Sequence, residues 1–192
     1  MEGLQQIRRI RAYCDYVERH LQNVEKAWAI LQDKLKDMNV VYDDFLWSQI
    51  DKLIKEHDLS KFSAEEFMQY VEWFQGPLGA VYNVQIHGDK GGEVDRHWEN
   101  KDAFDKAWEH HQRCNPHHHQ NWTIRKEAFP NEHSCHIVCM VADWMAMGME
   151  FGDTAEEYYV NNKESMNIPA WADKMLEDIF NAIRVNKGEW TG

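Results

Sequence analysis

Apolar side chains recur every three to four residues from the start of the chain. Ile7, Cys14, Leu21, Trp28 and Leu35 fall seven apart, and Ile10, Val17, Val24, Leu31 and Met38 fall between them. This spacing predicts one long amphipathic helix. His20 lies beside Leu21, at the edge of the stripe and on its core-facing side. The mixed side-chain sizes suit packing inside a helical domain. The same stripe also suits a seam between two copies, so a homodimer stays open.

The pattern continues helically. Asp43 and Asp44 are good N-cap residues for a second helix running to about His57, with Leu46, Ile50, Leu53, Ile54 and His57 on one face. Ser63-Ala64-Glu65-Glu66 has capping-box spacing and predicts a third helix through Phe67, Tyr70, Val71 and Phe74 to Gly76-Pro77. Residues 76–100 are the least regular stretch; their Gly-rich HGDKGGE reads as a lid or tight turn. A fourth helix after Asn100 sets Phe104, Ala107, Trp108 and His111 on one side and ends near Cys114-Asn115-Pro116. Residues 123–131 read as a short irregular or hairpin segment.

The fifth helix, from about Ser134 to Phe151, is apolar almost all round, which places it centrally. Thr154-Ala155-Glu156-Glu157 is another capping box, and Asn167-Ile168-Pro169 opens a last helix through Trp171, Leu176, Ile179, Phe180 and Ile183. No repeat or linker is visible. The expectation is an all-α chain, a compact multi-helix bundle forming one domain over residues 1–192.

Composition narrows the function. The chain has 192 residues, 43% of them hydrophobic, with 21 Lys and Arg against 33 Asp and Glu and a net charge of −12. An acidic chain lacks the basic footprint for non-specific duplex nucleic-acid binding. No run reaches the roughly 18 apolar residues of a membrane span, and the first residues carry no secretory signal, so a cytoplasmic, membrane-free protein is expected. Four cysteines form no C-x-x-C pair, and Cys135 and Cys139 read as buried thiols.

The unusual feature is the histidines, 11 in all and clustered. The dipeptide His57-Asp58 alone carries little, because about one such pair is expected by chance at this composition. Placement carries more. His20 and His57 face the core, and Asp143 is a carboxylate in the middle of an apolar helix. A buried carboxylate needs a cation, a donor set or a metal. For Asp143, pairing with Lys or Arg and ligation of a metal both stay open. Two imidazoles and two carboxylates suit a divalent transition metal better than Ca²⁺ or Mg²⁺. In AWEHHQRCNPHHH, spacing leaves open which of His110/His111 and of His117/His118/His119 point inward.

The pattern His20…His57-Asp58…Asp143 resembles the H…HD…D signature of the HD superfamily of metal-dependent phosphohydrolases. The run His57-Asp58-Leu59-Ser60-Lys61-Phe62 looks like that family's segment, in which a lysine closely follows the ligands. The stretches 57–67, 104–122 and 141–151 are also similar to a family of small, often phage-encoded proteins of unknown function. The resemblance implies an HD-type bundle binding one or two ions of Mn, Fe, Co, Ni or Zn through His20, His57, Asp58 and Asp143, joined by His111 and His118. It implies hydrolysis of a small phosphorylated substrate such as a nucleotide. Lys61, His111 or His118 would then offset phosphate charge or protonate the leaving oxygen, and Asn115 would orient a histidine or bind a substrate oxygen. Two other classes share these residues: a di-iron oxygenase using His20, His57, Asp58, His111, His118 and Asp143, and a non-enzymatic protein with a structural metal that binds a partner protein.

Overall fold

The computed structural model describes residues 2–36, 44–76, 95–124, 130–166 and 168–185. Among these residues there are eight α-helices, two short 3-10 turns and no strand, as the all-α reading expects. The helices are α1 (Glu2–Lys36), α2 (Asp44–Lys55), α3 (Phe67–Gln75), α4 (Asp95–Cys114), α5 (His119–Ile124), α6 (Pro130–Phe151), α7 (Ala155–Asn162) and α8 (Ala170–Val185). The 3-10 turns are Leu59–Phe62 and Lys163–Ser165. None of the described helices is long and apolar enough to cross a membrane.

The chain divides into two compact units, each made of two separated stretches. The first takes residues 1–19 and 58–115, the second residues 20–57 and 116–192. Helix α1 therefore gives its N-terminal half to the first unit and the rest to the second.

The first unit is held by aromatic packing. Trp73 of α3 stacks on Phe104 of α4 at 4.5 Å, and Tyr70 meets the edge of Phe104 at 5.4 Å. Tyr13 of α1 stacks on Tyr70 at 6.2 Å and meets the edge of Phe67 at 5.6 Å. Such ring pairs add to the burial of large apolar faces.

In the second unit the predicted stripe of α1 is buried at Val24, Trp28, Leu31 and Leu35, whereas Ile7, at its other end, is exposed. The indole of Trp28 donates to Asp51 Oδ1 at 2.6 Å and Gln32 donates to the same oxygen, which ties α1 to α2. Cys135 contacts Gln49 Oε1 at 3.5 Å and joins α2 to α6. Helix α6 is buried without interruption from Ile137 to Trp144, the central position its greasy sequence predicts. Cys135 and Cys139 are buried and in no disulfide.

Three element ends differ from the expected ones. Helix α3 starts at Phe67, not at Ser63, because Glu66 does not close the capping box. Its carboxylate reaches His110 and His111 instead, and residues 64–66 form a turn. Helix α4 starts at Asp95, six residues before the expected start after Asn100, and α6 starts at Pro130, a residue that favours a first helical position. The Gly-rich loop over 77–94, residues 125–129, Met38, Asp43 and Asn167 lie outside the described residues.

The second capping box forms as read. Glu157 N–H donates to Thr154 Oγ1 at 3.1 Å, and the Thr154 N–H donates to Glu157 Oε2 at 2.8 Å. Thr154→Ala is expected to cost about 1 kcal/mol in urea unfolding; a change within 0.3 kcal/mol would contradict this role for the cap.

Candidate metal centre

The second unit brings three of the sequence-marked residues to one point. His20 comes from α1, His57 from the turn after α2, and Asp143 from the buried middle of α6. His20 Nε2 lies 3.3 Å from His57 Nε2 and 3.3 Å from Asp143 Oδ1, and His57 Nε2 lies 3.5 Å from the same oxygen. All three residues are buried. His117, also buried, stacks on the His57 ring at 4.2 Å and joins His57 and Asp143 in a group whose ligand atoms lie within 4.8 Å of one another. His118 packs on His117 at 4.3 Å. The partner that buried Asp143 requires is thus a pair of imidazoles, not a Lys or Arg. Burial alone would raise its carboxyl, but His20 and His57 outweigh this and hold it well below the usual range.

The first unit holds a polar network around Asp58. Asp58 sits in the turn with φ 56°, the left-handed region that aspartate tolerates better than most residues. Its Oδ2 pairs with Lys61 Nζ at 2.6 Å and its Oδ1 with His111 Nε2 at 3.2 Å. The other His111 nitrogen, Nδ1, meets Glu66 Oε2 at 2.9 Å, while Glu66 Oε1 takes His110 Nδ1 at 2.7 Å. Asn115 donates to Ser60 Oγ at 2.7 Å and to the His111 carbonyl at 2.8 Å, so it braces the end of α4. Burial disfavours the Lys61 ammonium and the His111 imidazolium. Asp58 outweighs this for Lys61, and Asp58 with Glu66 does so for His111, so both pKa values are raised.

A family model described as a family of unknown function, DUF5662, matches residues 9–184, nearly the whole chain. The chain belongs to the DUF5662 family. No curated protein and no solved structure matches it. In this DUF5662 member the candidate chemistry lies with the buried imidazoles and carboxylates.

The triad fits a metal ion on geometry. Its edges of 3.3–3.5 Å exceed the roughly 2.7–3.2 Å of good hydrogen bonds. They match the roughly 3.4 Å between neighbouring donors around a tetrahedral cation with bonds of about 2.1 Å. Two imidazole nitrogens and a carboxylate oxygen are the donor set of a first-row divalent transition metal. His20, His57 and Asp143 would hold it, with His117 as a nearby fourth donor.

Lys61, Asp58, His111 and Asn115 share the first unit's network, and His118 flanks His117 in the second unit. Three participants went unread. The sequence reads Glu66 as a capping residue, gives Ser60 no role of its own, and leaves His117 undecided within a run of three. The signal for Glu66 was its place three residues after the Ser63 cap, a spacing that serves caps and buried partners alike.

A pH dependence of stability follows. The raised pKa of His111 gives stability that is full below its ordinary value of 6.5 and is lost as pH rises through the folded value. The lowered pKa values of Glu66 and Asp143 give stability that is full above their ordinary 4.5 and 3.8 and is lost as pH falls through the folded values. Metal-free urea midpoints are expected to be highest between about pH 4.5 and 6.5; a midpoint still climbing from pH 7 to 9 would contradict the His111 assignment.

Proposed function

We propose that this chain is a divalent-metal-dependent phosphohydrolase of the cytoplasm, acting on a nucleotide or another small phosphoester. The observation that carries the reading is the triad of His20 Nε2, His57 Nε2 and Asp143 Oδ1 at coordination spacing. Three protein donors leave further positions open, as catalytic sites require. When bound, the ion lowers the pKa of a coordinated water and polarises a phosphoryl oxygen.

The chain's own residues have the other tasks. Asp143 contributes the negative charge that favours a dication, and the two imidazoles complete the set. His117, stacked on His57, restrains that ring from turning away. The HD resemblance adds Asp58, bonded to His57 along the chain, and gives Lys61, His111, His118 and Asn115 to substrate and proton handling. In support, the pairing with carboxylates favours the cationic forms of Lys61 and His111, which suit a phosphate.

The test is phosphate release from a panel of nucleotides and simple phosphomonoesters with Mn²⁺, Co²⁺ or Fe²⁺ added to the full chain. The expected result is metal-dependent release by the wild type and a loss of at least about 100-fold in His57→Ala. No release from any substrate by a metal-loaded, folded protein would refute the hydrolase reading while leaving the metal centre standing.

A further inference from the structure

Helix α4 carries a second set of ligand-type side chains, and none of them belongs to the triad. His110 and Cys114 stand four residues apart, so they share a helix face. Cys114 is exposed and in no disulfide. Its Sγ lies 3.6 Å from His110 Nε2 and 3.9 Å from His110 Nδ1. Glu66, just before α3, is fully buried and holds His110 Nδ1 at 2.7 Å, while 33% of the His110 side chain faces solvent.

Three features converge. A carboxylate that accepts the Nδ1–H of a histidine fixes the tautomer whose lone pair is on Nε2, the pairing found behind metal-bound histidines. That leaves Nε2, the nitrogen nearer the sulfur, as the donor. The sulfur–nitrogen separation also matches: bonds of about 2.3 Å to sulfur and 2.05 Å to nitrogen at a tetrahedral angle set the two donors roughly 3.6 Å apart. Finally, a thiolate beside an imidazole is a softer donor pair than the nitrogen and oxygen atoms of the triad.

We propose that Cys114 Sγ and His110 Nε2 bind a second divalent cation of the zinc class at the surface of the first unit, with Glu66 as the positioning residue that sets the His110 ring. Water completes the coordination, since both donors are open to solvent. The site is therefore exchangeable and weaker than a closed four-ligand structural zinc site. Its thiolate donor selects zinc, cobalt or cadmium over Mg²⁺ or Ca²⁺. Proton release on binding accompanies loading, because the thiol must ionise to ligate.

Cobalt(II) titration of the full chain tests this, read as the near-ultraviolet charge-transfer band that only a sulfur–cobalt bond produces. The titration is run in Asp143→Ala, so that its outcome is independent of the triad. One equivalent of band is expected. Cys114→Ser should abolish it, His110→Gln should weaken binding at least tenfold, and Glu66→Gln should weaken it by about 10–100-fold. Absence of the band, or a band that survives Cys114→Ser, would overturn the proposal. Glu66→Gln perturbs a buried group that also holds His111, so the surface variants at Cys114 and His110 decide the matter by themselves.

Discussion

Asp143→Ala is expected to abolish stoichiometric binding of an added divalent metal by the second unit, together with any metal-dependent phosphate release. Asp143 is the one carboxylate among the three donors, and it supplies the charge that two neutral imidazoles cannot. Loss of such a ligand should exceed the roughly 10–100-fold fall in affinity that follows loss of an outer partner. The fold should survive, because alanine leaves no unpaired carboxylate in the interior. Asp143→Asn keeps the shape but not the charge and should fall between the two. Metal analysis beside far-ultraviolet circular dichroism reads both quantities. Full metal content in a folded Asp143→Ala protein would contradict the assignment.

The second large effect concerns stability. Asp58→Ala removes the partner of Lys61, whose side chain is only 12% exposed, and leaves an ammonium in the interior of the first unit. Breaking a buried pair from one side costs about 3–5 kcal/mol. The left-handed backbone at Asp58 adds about 1 kcal/mol, since alanine tolerates φ 56° less well than aspartate. The double variant Asp58→Ala, Lys61→Met removes both charges and should recover more than half of the loss. Urea unfolding of the three proteins measures this. A single variant costing under 1 kcal/mol, or a double variant no better than the single, would contradict the pairing. Metal content of the same Asp58→Ala protein shows whether this carboxylate also serves as a ligand.

Much of this was legible in the residues. The stripe of α1, the apolar run of α6 and the Thr154 capping box are local patterns, and each formed where its periodicity placed it. Asp143 was legible for a different reason: a carboxylate inside an apolar helix needs a partner, wherever that partner comes from. The convergence of His20 and His57 on it was readable from their core-facing positions and from the HD-like order of the residues.

What was not legible depends on tertiary choice. Glu66 satisfies the local rule for a cap, but its buried carboxylate takes two imidazoles of α4, while the Ser63 backbone amide donates to the Ser60 carbonyl, so α3 starts later. Asp58 follows a helix that the pattern ends near His57, and the pattern assigns it no backbone state. It turns the chain in the left-handed region, a backbone state that a hydrophobic pattern does not encode. Within His117-His118-His119, burial and stacking pick His117, and three identical neighbours give no sequence cue for that choice.

X-ray absorption spectroscopy at the metal edge, on Cys114→Ser protein loaded with one equivalent of Zn²⁺ or Co²⁺, tests the central assignment most directly. The expected spectrum has only nitrogen and oxygen neighbours at about 2.0–2.1 Å, with the outer-shell scattering of at least two imidazoles that falls when His20 is replaced by alanine. A spectrum of water and carboxylate oxygens alone, unchanged by His20→Ala, would contradict it.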